Sequence, residues 1–253
     1  MKKLLAIFLF FSFFTQFSCD PEPTFEGTTD VELVFKGTFG EETFMINKDY
    51  TYNNFPIRFD QLNFYIANVV LVKEIGGTPE ETELVEVDFV ELSYKPSEAA
   101  DAERGFVVTA KNIPVGEYSG IKINLGVPSD LNKTSWDDYG SGHPLRNDTH
   151  YWIAWESFIF SKTEARFDID NDGLFSHKVS YHTGADEAYR TKFFAKDVEL
   201  LEDEVTQITF GIDAKNLFEE INILTETGTH NISDLELVNK VMDNLNNSAL
   251  SIE

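Results

Sequence analysis

Imidazole, thiolate and carboxylate groups are the side chains that hold metals or move protons, so their positions come first. The chain has five histidines and a single cysteine. His143 lies in a stretch without strand periodicity, and His150 heads the run Tyr151-Trp152-Ile153-Ala154-Trp155. His177 and His182 bracket Lys178-Val179-Ser180-Tyr181, and His230 stands apart. Imidazole suits copper, zinc and nickel, and divalent copper tops the affinity order for such sites. Cys19 has no partner cysteine, which excludes a disulfide and a closed thiolate zinc site. A second group is Asp168-Ile169-Asp170-Asn171-Asp172-Gly173. Carboxylates at positions 1, 3 and 5 with glycine at 6 match the front half of a calcium loop. Val179 stands where that loop carries a bidentate glutamate. Asp168, Asp170 and Asp172 therefore read either as a solvated acidic turn or as a calcium site closed by other carboxylates. Ser176 and Ser180 lack a Gly-x-Ser-x-Gly setting, and no phosphate loop or dinucleotide fingerprint occurs. An enzyme is the least supported reading.

These residues need elements to position them. Val31–Phe35 alternates apolar and polar residues and predicts a strand. Leu62–Val72, Val85–Val90, Phe106–Ala110 and Tyr118–Leu125 predict further strands, with a turn at Ile113–Gly116. Tyr151–Phe160, Lys178–His182, Thr191–Leu200 and Val205–Asp213 complete the set. The spacing predicts a mostly β chain, an antiparallel β-sandwich of about nine strands rather than repeated βαβ units. One C-terminal helix is expected, opened by a Ser233/Glu236 capping box and followed by Leu235, Val238, Val241, Met242 and Leu245 at helical spacing. In an extended strand alternate residues share a face. His150 and Trp152 should then point the same way, about 7 Å apart, with Tyr151, Ile153 and Trp155 opposite. The odd spacing of His177 and His182 puts them on opposite faces. Pro128–Arg146, rich in turn formers, reads as a long loop, the kind of segment that carries function on a rigid scaffold.

An ordered set of short runs then carries a resemblance. His143-Pro144-Leu145, Tyr151-Trp152-Ile153-Ala154-Trp155, Phe158-Ile159-Phe160 and Tyr181-His182-Thr183-Gly184 follow Leu62-Asn63-Phe64-Tyr65-Ile66 and the stretch from Gly116 to Val127. Together they resemble the MbnP-like family of copper-associated surface proteins, over most of residues 31–250. The resemblance implies copper binding outside the cytoplasm. It implies His143 and His182 as histidine ligands and Trp152 as a tryptophan that a partner dihaem enzyme of the peroxidase type oxidises to kynurenine. The chain departs from the family pattern at His150, where methionine is usual, and at Phe158, where glycine-tyrosine is usual. His150 is thus an added ligand or a surface residue, and Trp152 is either the modified residue or a plain core aromatic.

The N-terminus bears on location. Lys2 and Lys3 precede the apolar run Leu4–Phe14, which as a helix would rise about 16 Å, too short for a hydrocarbon core of about 30 Å. This is the form of a signal peptide over residues 1–18. Gln16-Phe17-Ser18-Cys19 looks like a lipobox, although Gln16 replaces the usual apolar residue. Cys19 is then the lipidated first residue of a polar, proline-containing tether over 19–30, with an MbnP-like β domain over 31–253. An ordinary secretory signal with an incidental cysteine is the other reading. The expected location is a bacterial cell envelope, periplasmic or cell-surface, with the membrane as partner through the anchor. The formal charge of −24 excludes nucleic acid, which needs a basic footprint. The function expected is copper capture or storage without turnover. A structural or adhesive surface lipoprotein with the same sandwich and no metal is the alternative.

Overall fold

The computed structural model describes residues 26–229 and 234–253. Residues 1–18, expected to be a signal peptide, lie outside these residues with Cys19 and most of the expected tether, as do His230 and Ser233. In chain order the strands that matter are β1 (Thr28–Phe39), β2 (Phe55–Ile75), β3 (Thr78–Glu91), β4 (Phe106–Pro114) and β5 (Gly120–Leu125). They continue with β6 (Tyr151–Trp152), β7 (Ser157–Phe167), β8 (His177–Gly184), β9 (Arg190–Phe194), β10 (Thr206–Asp213) and β11 (Leu250–Ile252). One C-terminal helix, α1 (Leu235–Asp243), follows the strands apart from β11.

The smaller sheet runs β11–β10–β1–β4. The larger is built on β2, whose length lets it serve two sets of neighbours. β3 lies along one edge. On the other edge β7 pairs with residues 57–64 and β5 with residues 66–72. β8 continues outward from β7, and β9 from β5. Alternation on β2 sends Phe64 and Ile66 inward and Asn63 and Tyr65 outward. Between the sheets Phe35 meets Phe64 edge-on at 6.2 Å and stacks on Phe210 at 5.1 Å. Burying a phenylalanine of this kind contributes roughly 2–3 kcal/mol.

The mostly β fold with its C-terminal helix matches the expected class, with corrections. β1 and β10 are parallel over Val31–Thr38 and Thr206–Asp213, so the sandwich is not wholly antiparallel. The expected strand Tyr151–Phe160 breaks at Ile153–Glu156, and Thr191–Leu200 splits into β9 and a short strand Val198–Leu200. The expected turn at Ile113–Gly116 is narrower, because β4 continues through Pro114. β4 is the outer strand of its sheet, where a missing N–H costs no ladder bond. Helix α1 is capped by Asp234, whose carboxylate accepts from the Leu237 N–H at 3.4 Å. Its Met242 is fully buried and accepts from the Thr183 hydroxyl at 3.1 Å, on the face of β8 opposite to His182.

Where β5 hands over to β7, the segment from Gly126 leaves the sheet and returns as β6 and β7. Gly126 N–H donates to the Tyr65 carbonyl at 2.8 Å. A Cβ at this position would sit 2.4 Å from the Phe160 ring, and φ is +105°, so only glycine fits. The long loop therefore starts from the middle of the outer face of the large sheet.

Candidate metal centre

A polar row crosses that outer face. Lys162 on β7 is the cross-strand partner of His182 on β8 and of Asn63 on β2, and Asn63 is in turn the partner of Glu91 on β3. The four side chains share one face because cross-strand partners do. His182 is nearly buried, and its Nε2 lies 2.8 Å from Glu164 Oε1 and 3.4 Å from Ser180 Oγ. Glu164 also takes Lys178 Nζ at 3.2 Å. Burial pushes the Glu164 carboxyl up, but the hydrogen bonds from His182 and Lys178 outweigh this and hold it below the usual range. A carboxylate accepting from Nε2 orients the ring.

The loop residues are held differently. Leu145 is buried, and the Pro144 carbonyl accepts from the Tyr65 hydroxyl at 3.2 Å. Asn132 fastens the loop start to the sheet, accepting from Phe158 N–H at 2.9 Å and donating to Asp186 at 3.0 Å. His143 stacks on Tyr139 at 4.3 Å, and its Nδ1 accepts from Leu145 N–H at 3.1 Å. Its proton is then on Nε2. His143 also acts on the charge of Asp88 of β3.

His150 is not a surface residue. It ends a helical turn, is 3% exposed, and packs edge-on against Phe89 at 4.6 Å. Nε2 lies 2.9 Å from Asn63 Oδ1 and Nδ1 lies 3.0 Å from Thr149 Oγ1. Because Asn63 Nδ2 donates to Glu91 at 3.0 Å, Asn63 Oδ1 must accept, so the His150 proton is on Nε2. Burial, with Lys162 and His182 nearby, pushes the His150 pKa down to about 3. It is a neutral imidazole with both nitrogens engaged.

The expectation that His150 and Trp152 share a strand face is corrected, because only Tyr151 and Trp152 are extended there. The chain turns at once, with Trp155 N–H donating to the Trp152 carbonyl at 3.1 Å and Glu156 at φ 49°. The turn brings Trp152 and Trp155 together, rings 4.8 Å apart and nearly perpendicular, where alternation had put them on opposite sides. It leaves Ile153 80% exposed. Trp152 lies against Gly184, where a Cβ would meet the indole at 3.1 Å and the Phe158 carbonyl at 2.7 Å. Gly184 is two residues beyond His182 on β8, so Trp152 and His182 lie on the same face of one strand.

His177 does face the other side, its Nε2 2.7 Å from the Ile223 carbonyl and its ring beside Phe167. Asp168, Asp170 and Asp172 converge, with ligand oxygens within 4.8 Å of one another, the one such group of three or more among the described residues. Asp168 is buried and accepts from the backbone N–H groups of Asp172 at 3.1 Å and Gly173 at 2.9 Å. These bonds close the turn by themselves.

Lys162, Glu164 and Asn63 went unnoticed in the sequence. The signal was there: Lys162 and Glu164 sit two apart on one strand, and so share a face. What the row offers chemically is one imidazole backed by a carboxylate, an arrangement typical of metal-binding histidines. An indole lies farther along the same strand face. His143 and His150 are hydrogen-bonded to other groups, and His182 is itself held by Glu164 and Ser180.

Among curated proteins none matches the sequence. Among solved structures, MbnP from Methylosinus trichosporium is similar, with a TM-score of 0.51 at 13% identity, over 76% of this chain and 78% of that one. At that identity the likeness speaks to the fold. The family model named MbnP matches residues 28–239, a span that runs from β1 through the polar row and the long loop into helix α1. With that span matched, the chain belongs to the MbnP family.

Proposed function

We propose that the chain is an exported, lipid-anchored module that holds a copper ion on the outer face of its large sheet, for capture or storage and without turnover of its own. The observation that carries this reading is the His182–Glu164 pair at 2.8 Å. A carboxylate on one ring nitrogen orients the imidazole and makes the other nitrogen a better donor to a metal. His182 is then the anchoring ligand, with Trp152 beside it at Gly184. Imidazole suits copper, and the absence of cysteine beyond Cys19 argues against a closed thiolate zinc site. His143 joins through Nδ1 only if it gives up the Leu145 bond, and His150 through Nε2 only if it leaves Asn63.

In the same reading Cys19 carries the acyl chains, and the domain stands off a membrane of the cell envelope. A dihaem enzyme of the peroxidase type is the expected partner for Trp152. Intact mass after coexpression with such an enzyme should rise by roughly 4 Da if Trp152 becomes kynurenine. The second reading, a structural or adhesive surface lipoprotein, draws on the neutral, fully engaged state of His150. Metal content separates the two. Purified protein should load one copper per chain, and His182→Ala should lose most of the affinity while His177→Ala loses little. Copper uptake that is indifferent to His182→Ala would favour the metal-free reading.

A further inference from the structure

We infer that the groove between β9 and the two-stranded ribbon of Gly116–Tyr118 and Val198–Leu200 is a docking surface for an extended basic segment of a partner protein. The groove has a volume of about 790 Å³ and shares no residue with the polar row. One wall is Phe193 of β9, which is 53% exposed. Among the described residues β9 is the last strand on its side of the large sheet, so no further strand covers that ring. A Cβ at residue 120, on the neighbouring β5, would overlap the ring, so a glycine there makes the place in which it lies. The other wall is the ribbon, where Glu117 and Glu199 are direct cross-strand partners and both are exposed. Like charges in that position, with Cβ atoms about 5 Å apart, destabilise a sheet.

Glu74 and Asp197 add two more carboxylates to the lining. Among the described residues none of the four is in an ion pair. The lysines nearby are engaged elsewhere: Lys73 with Glu80 at 3.7 Å, Lys122 with Glu81, and Lys196 with the Glu253 carbonyl. The groove thus sets unpaired negative charge opposite an exposed aromatic ring, and both attract ammonium and guanidinium groups. An extended segment carries alternate side chains on opposite faces. With apolar residues against Phe193 and basic ones against Glu117 and Glu199, one such segment fits both walls and relieves the repulsion between the glutamates. A second copy of this chain does not fit, because its formal charge of −24 repels its own like.

The probe is a short fluorescent peptide alternating lysine and valine, titrated with the detergent-solubilised full chain and followed by anisotropy. It should bind at low salt, with an affinity that falls as salt rises, while a peptide alternating glutamate and valine should not bind. Phe193→Ser, and the double substitution Glu117→Gln with Glu199→Gln, should each weaken binding about five- to tenfold. Glu103→Gln, which removes an exposed carboxylate outside the groove, should change it by less than about twofold. The double variant, freed of the opposed charges, should also melt higher than the unaltered protein. No binding of the lysine–valine peptide, or an affinity that Phe193→Ser leaves unchanged, overturns the inference. So does equal weakening by Glu103→Gln and by the double substitution, which would assign the binding to overall charge. A lower melt of the double variant would overturn the argument from opposed glutamates.

Discussion

At the scale of single residues, Glu164 and His150 put the same face of the sheet to opposite uses. Glu164 orients His182 through a 2.8 Å bond, so if His182 holds copper as proposed, removing the Glu164 charge should weaken binding without removing a ligand. Glu164→Gln is expected to lower copper affinity about ten- to a hundredfold, the usual cost of losing such a partner. Titration of copper into the two proteins checks it, and an effect on melting alone would reduce Glu164 to a structural residue. His150 is stabilising only while neutral. Its folded pKa of about 3 lies below the ordinary value of 6.5, so between those values the unfolded chain binds more protons. Stability from this residue is full above about pH 6.5 and falls as pH drops toward 3, by on the order of 5 kcal/mol in total. Melting curves across that window should show the loss. His150→Gln, which cannot be protonated there, should flatten the slope, and an equal slope in that variant would move the cause elsewhere.

At the scale of elements, two turns decide what the sheet presents. The turn at Ile153–Glu156 folds Trp152 back over Gly184, and that contact exists because residue 184 lacks a Cβ. Gly184→Ala would drive a methyl group into the Phe158 carbonyl and the indole. It should cost about 1–3 kcal/mol and shift Trp152 fluorescence. A variant as stable as the parent, with an unchanged spectrum, would contradict this seating. The Asp168–Gly173 turn lies where β7 ends, with Asp168 N–H donating to the Pro56 carbonyl at 3.0 Å. Its three carboxylates converge although the turn is already closed by its own amides. If they take calcium, millimolar calcium should raise the melting temperature by mass action, and Asp170→Asn should reduce that rise. A melt that calcium does not change assigns the turn a structural role only.

At the scale of the whole molecule, a long central strand joins everything. β2 pairs with β3, β5 and β7, and through β7 it is tied to β8, so the polar row depends on one register. Such a unit should resist partial opening. Limited proteolysis of the full chain is expected to trim residues before about Val31 and then stop. Two stable halves would contradict one cooperative domain. The anchor belongs to this scale too. Cys19→Ala should release the protein from the membrane fraction, since stable anchoring needs more than one acyl chain. Retention of that variant on the membrane would end the lipoprotein reading.

The sequence by itself determined the strand class, the helix and the opposite facing of His177 and His182, because period-two and helical spacing are local properties. Tertiary structure alone decided the rest. No local pattern marks the turn after Trp152, since Ile153 and Trp155 have the apolar character of a continuing strand while Glu156 sits at positive φ. Neither does any local pattern reveal that Lys162, Glu164 and Asn63 surround the histidines. Those residues lie on β7 and β2, far from His150 and His182 in the chain or separated from them by a turn, and only the pairing register brings them into one row. Register is set by which faces the whole sheet buries, a sum over many strands that no single stretch of sequence contains.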